Sequence, residues 1–106
     1  MSDVATDRRQ APRIRMALTC TLRGQASSPI WAETIDVGPG GMCVRAARPL
    51  RAGELVDFDL VENDESHVTG RARVTRHNSP RVYGLQFQEL GGPMQERLDQ
   101  LVARAA

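Results

Sequence analysis

The 106-residue sequence predicts a mostly-β domain, a six-stranded antiparallel β-barrel with one C-terminal α-helix packed against it. Three observations predict it. Apolar and polar residues alternate through short segments, which is the period of a half-buried strand. Clusters of Gly, Pro, Ser and Asn cut that pattern at short intervals. Behind Gly91-Gly92-Pro93 the apolar period lengthens to that of a helix.

Residues 1–12 are polar, lack apolar periodicity and end in Ala11-Pro12, so a flexible arm is expected there. Ile14, Met16, Leu18, Cys20 and Leu22 then alternate with mostly polar residues, predicting a first strand. Gly24 to Pro29 is a turn-rich break. Trp31 to Val37 reads as a second strand and Met42 to Ala46 as a third, joined by the glycine-rich DVGPGG. After the Arg48–Gly53 loop a fourth strand runs to Val61, with Val56, Phe58 and Leu60 inward and Asp57 and Asp59 outward. His67 to Arg76 gives a fifth strand, with Val68, Ala72 and Val74 inward. Arg81 to Phe87 gives a sixth, with Tyr83, Leu85 and Phe87 on one side. Met94, Leu98, Leu101 and Val102 fall on one face of the closing helix, and Pro93 occupies a first-turn position that needs no N–H donor. The expected organisation is one domain: residues 1–13 an arginine-rich arm, 14–90 the barrel and 91–106 the helix.

Composition narrows the function. No stretch approaches the roughly 20 apolar residues of a membrane helix, and no apolar run follows the N-terminal charges, so a cytoplasmic protein is expected. Cys20 and Cys43 are isolated in strand-like segments and are read as buried thiols. His67 and His77 are equally isolated, so neither a zinc site nor any other metal site is expected. No nucleophile–base set or carboxylate pair stands out, and an enzyme is the least favoured reading.

The net charge of +1 conceals a pattern. All 14 basic residues are arginine. A GC-rich genome favours arginine codons and is one explanation. The other is chemical, because a guanidinium fork makes two-point contacts with phosphates and guanine edges. Five arginines and no acid lie between Arg8 and Arg23, whereas six acids and no base lie between Glu54 and Glu65. That asymmetry argues against general DNA or RNA binding, which wants a broad basic face, and favours a small anionic ligand near the N-terminal arginines.

Two segments carry candidate chemistry. Asp7-Arg8-Arg9-Gln10-Ala11-Pro12-Arg13 is either a solvated basic arm or a mobile clamp for phosphate and the O6/N7 edge of guanine. Asp36-Val37-Gly38-Pro39-Gly40-Gly41 is either a plain turn or half of a site. In the second case Asp36 accepts from the guanine N1–H and amine, and Gly41 takes φ > 0 or admits close approach of a ligand.

Taken together, the two segments resemble the PilZ domain family, whose signature is RxxxR followed, after one strand and a loop, by (D/N)xSxxG. Arg9-Gln10-Ala11-Pro12-Arg13 fits the first half. Asp36 and Gly41 fit the second, with Gly38 standing where the family has serine. Gly40-Gly41-Met42 is similar to the family's start of its third strand, and Val82-Tyr83-Gly84-Leu85-Gln86-Phe87 to its closing strand, so the likeness runs from about Arg8 to Leu90.

The resemblance implies a bacterial receptor for the second messenger cyclic di-GMP, with no cofactor. Arg9 and Arg13 would hold phosphate and guanine, Asp36 would read a guanine edge, and Gly41 would clear space. Arg8 matches family members that capture two stacked ligand molecules. The expected mechanism is closure of the arm over the barrel mouth, presenting a new surface to a downstream protein. Arg76 could reach the same mouth. The alternatives are a degenerate PilZ module that binds no nucleotide and engages a protein through the acidic stretch Glu54 to Glu65, and, more distantly, a barrel for single-stranded nucleic acid. The last is poorly supplied, because only four aromatic residues are present and none is interleaved with the arm.

Overall fold

The computed structural model describes residues 13–24 and 28–105, with backbone alone at 76–78. Its strands are β1 (Ile14–Arg15), β2 (Thr19–Arg23), β3 (Ile30–Val37), β4 (Gly41–Ala46), β5 (Leu55–Asn63), β6 (Ser66–Ser79) and β7 (Val82–Glu89), followed by helix α1 (Gly92–Ala105). All pairings are antiparallel. They run β3-β2-β5-β6-β7-β4, and β4 pairs back onto β3, so six strands close a barrel while β1 adds a short extra strand to β3. The expected barrel and C-terminal helix are therefore present.

One expected strand is divided in two. β1 pairs with β3 as Arg15↔Asp36, whereas β2 resumes as Thr19↔Glu33, so Met16–Leu18 carries one residue more than the facing segment. Thr34 fills the gap. It is the buried polar side chain among the described residues, and its hydroxyl donates to the Met16 carbonyl at 2.6 Å while accepting from the Leu18 N–H at 2.8 Å. The Thr34 N–H donates to the Leu18 carbonyl at 2.9 Å. The side chain thus replaces ladder bonds lost at the bulge. The alternation still holds across it: Met16 and Leu18 pack against the core, and Cys20 and Leu22 lie within it.

A second irregularity sits on the other side of the same residue. Between β3 and β4 the register passes from Thr34↔Val44 to Asp36↔Cys43, leaving Ile35 as an extra residue. Because strand side chains alternate with period two, one inserted residue reverses the phase. Ala32 and Thr34 are buried, and so is Val37, an odd number of positions on. Asp36 consequently leaves the barrel wall on its outer side.

The core is built from one face of each barrel strand, including Leu22, Met42, Leu60 and Val74. The Phe58 and Phe87 rings meet at 5.1 Å with a 31° tilt. Helix α1 adds Leu98, Leu101 and Val102 to the same core, as its periodicity predicts. Polar contacts among the described residues fix its seating on the β5–β6 hairpin: the Thr69 N–H and hydroxyl to the Met94 thioether at 3.4 and 3.6 Å, Arg97 Nη1 to the His67 carbonyl at 3.1 Å, and the Arg104–Glu62 ion pair. The hydrogen bond from Arg104 holds the Glu62 carboxyl below its ordinary value. Cys20 and Cys43 are buried and are not joined in a disulfide, and burial pushes the Cys20 thiol up to about 12. Among the described residues no helix is long and apolar enough to cross a membrane.

Gly41 belongs to the closure of the barrel. It pairs with Gln86 of β7, and a Cβ there would overlap the Leu85 carbonyl oxygen. That neighbour is backbone in the wall and cannot rotate away.

Two stability measurements test this account. Thr34→Val keeps the side-chain shape but leaves the Leu18 N–H and the Met16 carbonyl without their partner, so urea unfolding is expected to show a loss of about 1–3 kcal/mol. A midpoint equal to that of the natural chain would mean that the hydroxyl does not hold the bulge. Gly41→Ala forces β4 and β7 apart and is expected to cost about 1–3 kcal/mol, whether or not any ligand is present. An unchanged midpoint would refute the steric role.

Candidate functional site

The β3–β4 connection is a tight hairpin tip. The Gly38 N–H donates to the Gly41 carbonyl at 2.8 Å, leaving Pro39-Gly40 as the residues that turn the chain. Proline presets φ for such a position and loses nothing by lacking a donor there. The Gly40 carbonyl accepts the Phe87 N–H at 2.9 Å, which ties the tip to β7. Gly38 is buried and Gly40 exposed, with open space where a Gly40 side chain would stand.

Of the two uses expected for Gly41, the positive φ is not adopted; Gly53, at φ 87°, is the described glycine in that region. Close approach is adopted, and the approaching group is the protein's own Leu85 carbonyl.

Pairing of β1 with the last residues of β3 carries Arg13 to this hairpin. Arg13 Nη2 lies 2.7 Å and Nε 3.0 Å from Asp36 Oδ1, across 23 residues of sequence. Both donors meet one oxygen, and Oδ2 has no partner among the described residues. Arg13 is 47% exposed and Asp36 27%. An ion pair this open to water contributes about 0–1 kcal/mol. It positions the two groups and is readily exchanged.

Of the six residues singled out in the sequence, Asp36, Gly38, Gly41 and Arg13 therefore share one end of the barrel. Arg8 and Arg9 lie outside the described residues, as does the Arg76 side chain. A further residue, Arg15, escaped the sequence reading. It faces Asp36 directly in the β1–β3 register, is exposed, and has no side-chain partner among the described residues. The signal was present in Arg13-Ile14-Arg15: with Ile14 turned to the core, both arginines share the opposite face.

The acidic stretch of β5 is largely matched from within the fold. Asp57 takes Arg71 Nε at 3.3 Å, Asp59 meets His67 Nδ1 at 2.7 Å, and Glu62 pairs with Arg104.

Comparison with known proteins bears on this site. The model of the PilZ domain matches residues 7–104. Among solved structures, the PilZ domain of CeSA from a cellulose-synthesizing bacterium is similar with a TM-score of 0.71 at 18% identity, over 89% of this chain and 97% of that one. The inhibitor of motility MotI/DgrA of Bacillus subtilis gives 0.77 at 24% identity, over 92% of this chain and 50% of that one. The PilZ domain of YcgR from Escherichia coli, solved with c-di-GMP, gives 0.74 at 14% identity, over 92% and 91%. No curated protein sequence matches. At these identities the structural likeness establishes the shared fold. The family assignment rests on the sequence match, which leaves only short ends of the chain uncovered: this chain belongs to the PilZ domain family.

Proposed function

We propose that the chain is a bacterial cyclic di-GMP receptor and adaptor. Its arginine arm closes over the ligand at the Asp36 end of the barrel and presents the surface so formed to a partner protein. The observation that carries this reading is the meeting of Arg13 and Asp36 at 2.7 Å beside the glycine hairpin, in a chain of the PilZ family. PilZ domains are regulatory binding modules, and the similarly folded YcgR domain was solved with c-di-GMP. A cytoplasmic setting, where such a messenger circulates, goes with the proposal.

The ion pair gives the mechanism its first step. Without ligand, Asp36 occupies the Arg13 fork. A ligand phosphate displaces the carboxylate from that fork, and Asp36 becomes free to accept from the N1–H and amine of a guanine. The step exchanges one pairing for two. It gives up about 0–1 kcal/mol and gains charge-assisted hydrogen bonds at roughly 1.5–3 kcal/mol each. Arg9 adds a second fork, Arg15 adds charge on the same face, and Arg8 supplies a hold for a second ligand molecule. Ordering the arm costs about 1–2 kcal/mol per fixed residue, which these contacts offset.

A second reading has its own observation. Gly38 closes the hairpin with its backbone N–H and brings no hydroxyl where the family motif has serine. A domain that has given up its nucleotide and kept its fold as an interaction module would look the same at this position.

Calorimetric titration separates the two. The natural chain is expected to bind cyclic di-GMP with a stoichiometry of one or two, and Arg9→Ala or Arg13→Ala to abolish it. A natural chain silent up to high micromolar ligand selects the interaction module. Gly38→Ser is expected to bind several-fold more tightly, because one added neutral hydrogen bond is worth about 0.5–1.5 kcal/mol. Equal or weaker binding by that variant would remove the hydroxyl from the account.

A further inference from the structure

The other end of the barrel holds a cavity whose described lining includes none of the candidate nucleotide residues. It has a volume of about 1110 Å³ and lies where β2 ends, β3 and β5 begin, and the β4–β5 loop crosses the rim. Ile30, the first residue of β3, lines it, while Val37, the last, adjoins the Asp36 hairpin. At the rise of an extended strand the two ends stand about 23 Å apart.

The lining is unbalanced in charge. Arg23, Arg48, Arg51 and Arg71 face it, against Glu54 and Asp57. Both acids are already engaged. Glu54 Oε1 accepts the Arg51 N–H at 3.3 Å within the turn. Asp57 stands between Arg23 and Arg71 in the cross-strand register and takes Arg71 Nε at 3.3 Å. Arg48 is folded back onto the Pro29 carbonyl at 3.1 Å. Arg23 and Arg51 have no side-chain partner among the described residues, so positive charge is left over on the rim.

Beneath that charge the floor is apolar. Ile30 and Leu50 are half-buried and continuous with the core, and Leu55 lies beside them. Among the described residues no aromatic side chain lines the cavity, so none of them offers a nucleobase an aromatic face to stack on. The volume lies just beyond the roughly 300–1000 Å³ of small-molecule sites, and the shape is an open groove.

The wall is also set in advance. Gly53 takes φ 87° and donates its N–H to the Val74 carbonyl at 2.7 Å, while Arg73 Nη1 holds the Gly53 carbonyl at 2.9 Å. The Leu50 N–H is bonded to the Tyr83 hydroxyl at 3.0 Å. A partner therefore meets a formed surface and bears little of the cost of ordering a loop.

We propose that this groove docks an extended acidic peptide segment of a protein partner, with carboxylates on Arg23 and Arg51 and alternate apolar side chains on Ile30, Leu50 and Leu55. The period of two in an extended chain supplies that alternation. The proposal goes beyond the nucleotide reading and does not depend on it.

Fluorescence anisotropy on the full chain tests it with two short labelled peptides, one alternating leucine with glutamate and the other leucine with glutamine. The glutamate peptide is expected to bind about tenfold more tightly, with an advantage that shrinks as salt rises. Arg23→Gln/Arg51→Gln, made at exposed positions and checked by circular dichroism, is expected to abolish the preference. Arg51→Glu is expected to reverse it. Equal binding of the two peptides, no binding up to millimolar concentration, or an unchanged preference in both variants would overturn the proposal. Displacement of the label by inorganic polyphosphate at lower concentration than by the unlabelled acidic peptide would overturn the assignment to a peptide.

Discussion

The Thr34 hydroxyl, donating to Met16 and accepting from Leu18, is the contact on which the geometry of the candidate nucleotide end depends. It stabilises an extra residue on one side of β3, while Ile35 is the extra residue facing the other. The single insertion at Ile35, beside that buried side chain, turns the strand's alternation over, and Asp36 emerges outward where Arg13 can meet it. Without the second insertion the carboxylate would face the barrel interior, unpaired and desolvated, a position a charged group tolerates only with a partner. The same carboxylate that is accessible on the outside would be a folding defect on the inside. Bulges next to functional sites commonly re-aim a side chain in this way.

Much of the barrel was legible in the sequence because a strand with one buried face must alternate. Val56, Phe58 and Leu60 could only be one wall, and Leu98, Leu101 and Val102 only one helical face. The division of the first strand was not legible, since Ile14 to Leu22 keeps its alternation straight through the bulge. Nor was the direction of Asp36, because simple alternation from Ala32 sends it inward. A threonine in an apolar position was the one hint, and it acquires meaning only when the facing backbone is known. Arg15 was missed for a related reason: its place opposite Asp36 is set by a strand pairing that motif spacing does not encode.

Charge is distributed by end as well as by sign. Asp57, Asp59 and Glu62 contact Arg71, His67 and Arg104, so half of the six acids in the run that looks like an interaction surface in the sequence already have side-chain partners within the fold. Among the described residues, guanidinium groups without a side-chain partner remain at both ends, Arg15 beside the Asp36 hairpin and Arg23 and Arg51 at the opposite rim. A barrel closed on itself has little slack between its ends, since every wall strand is bonded on both sides.

The glycine at position 41 bears on how sequences of this kind are read. Its missing side chain makes room for the Leu85 carbonyl of a neighbouring wall strand. A descendant that had abandoned nucleotide altogether would still be obliged to keep it in order to fold. One of the four matched positions of what looks like a ligand signature is thus a building requirement and carries no news about binding. The exposed Arg13 and Asp36 are the reverse case. Their pairing adds little to stability, so drift could erase either one cheaply. Where both persist together, the fold alone does not account for them.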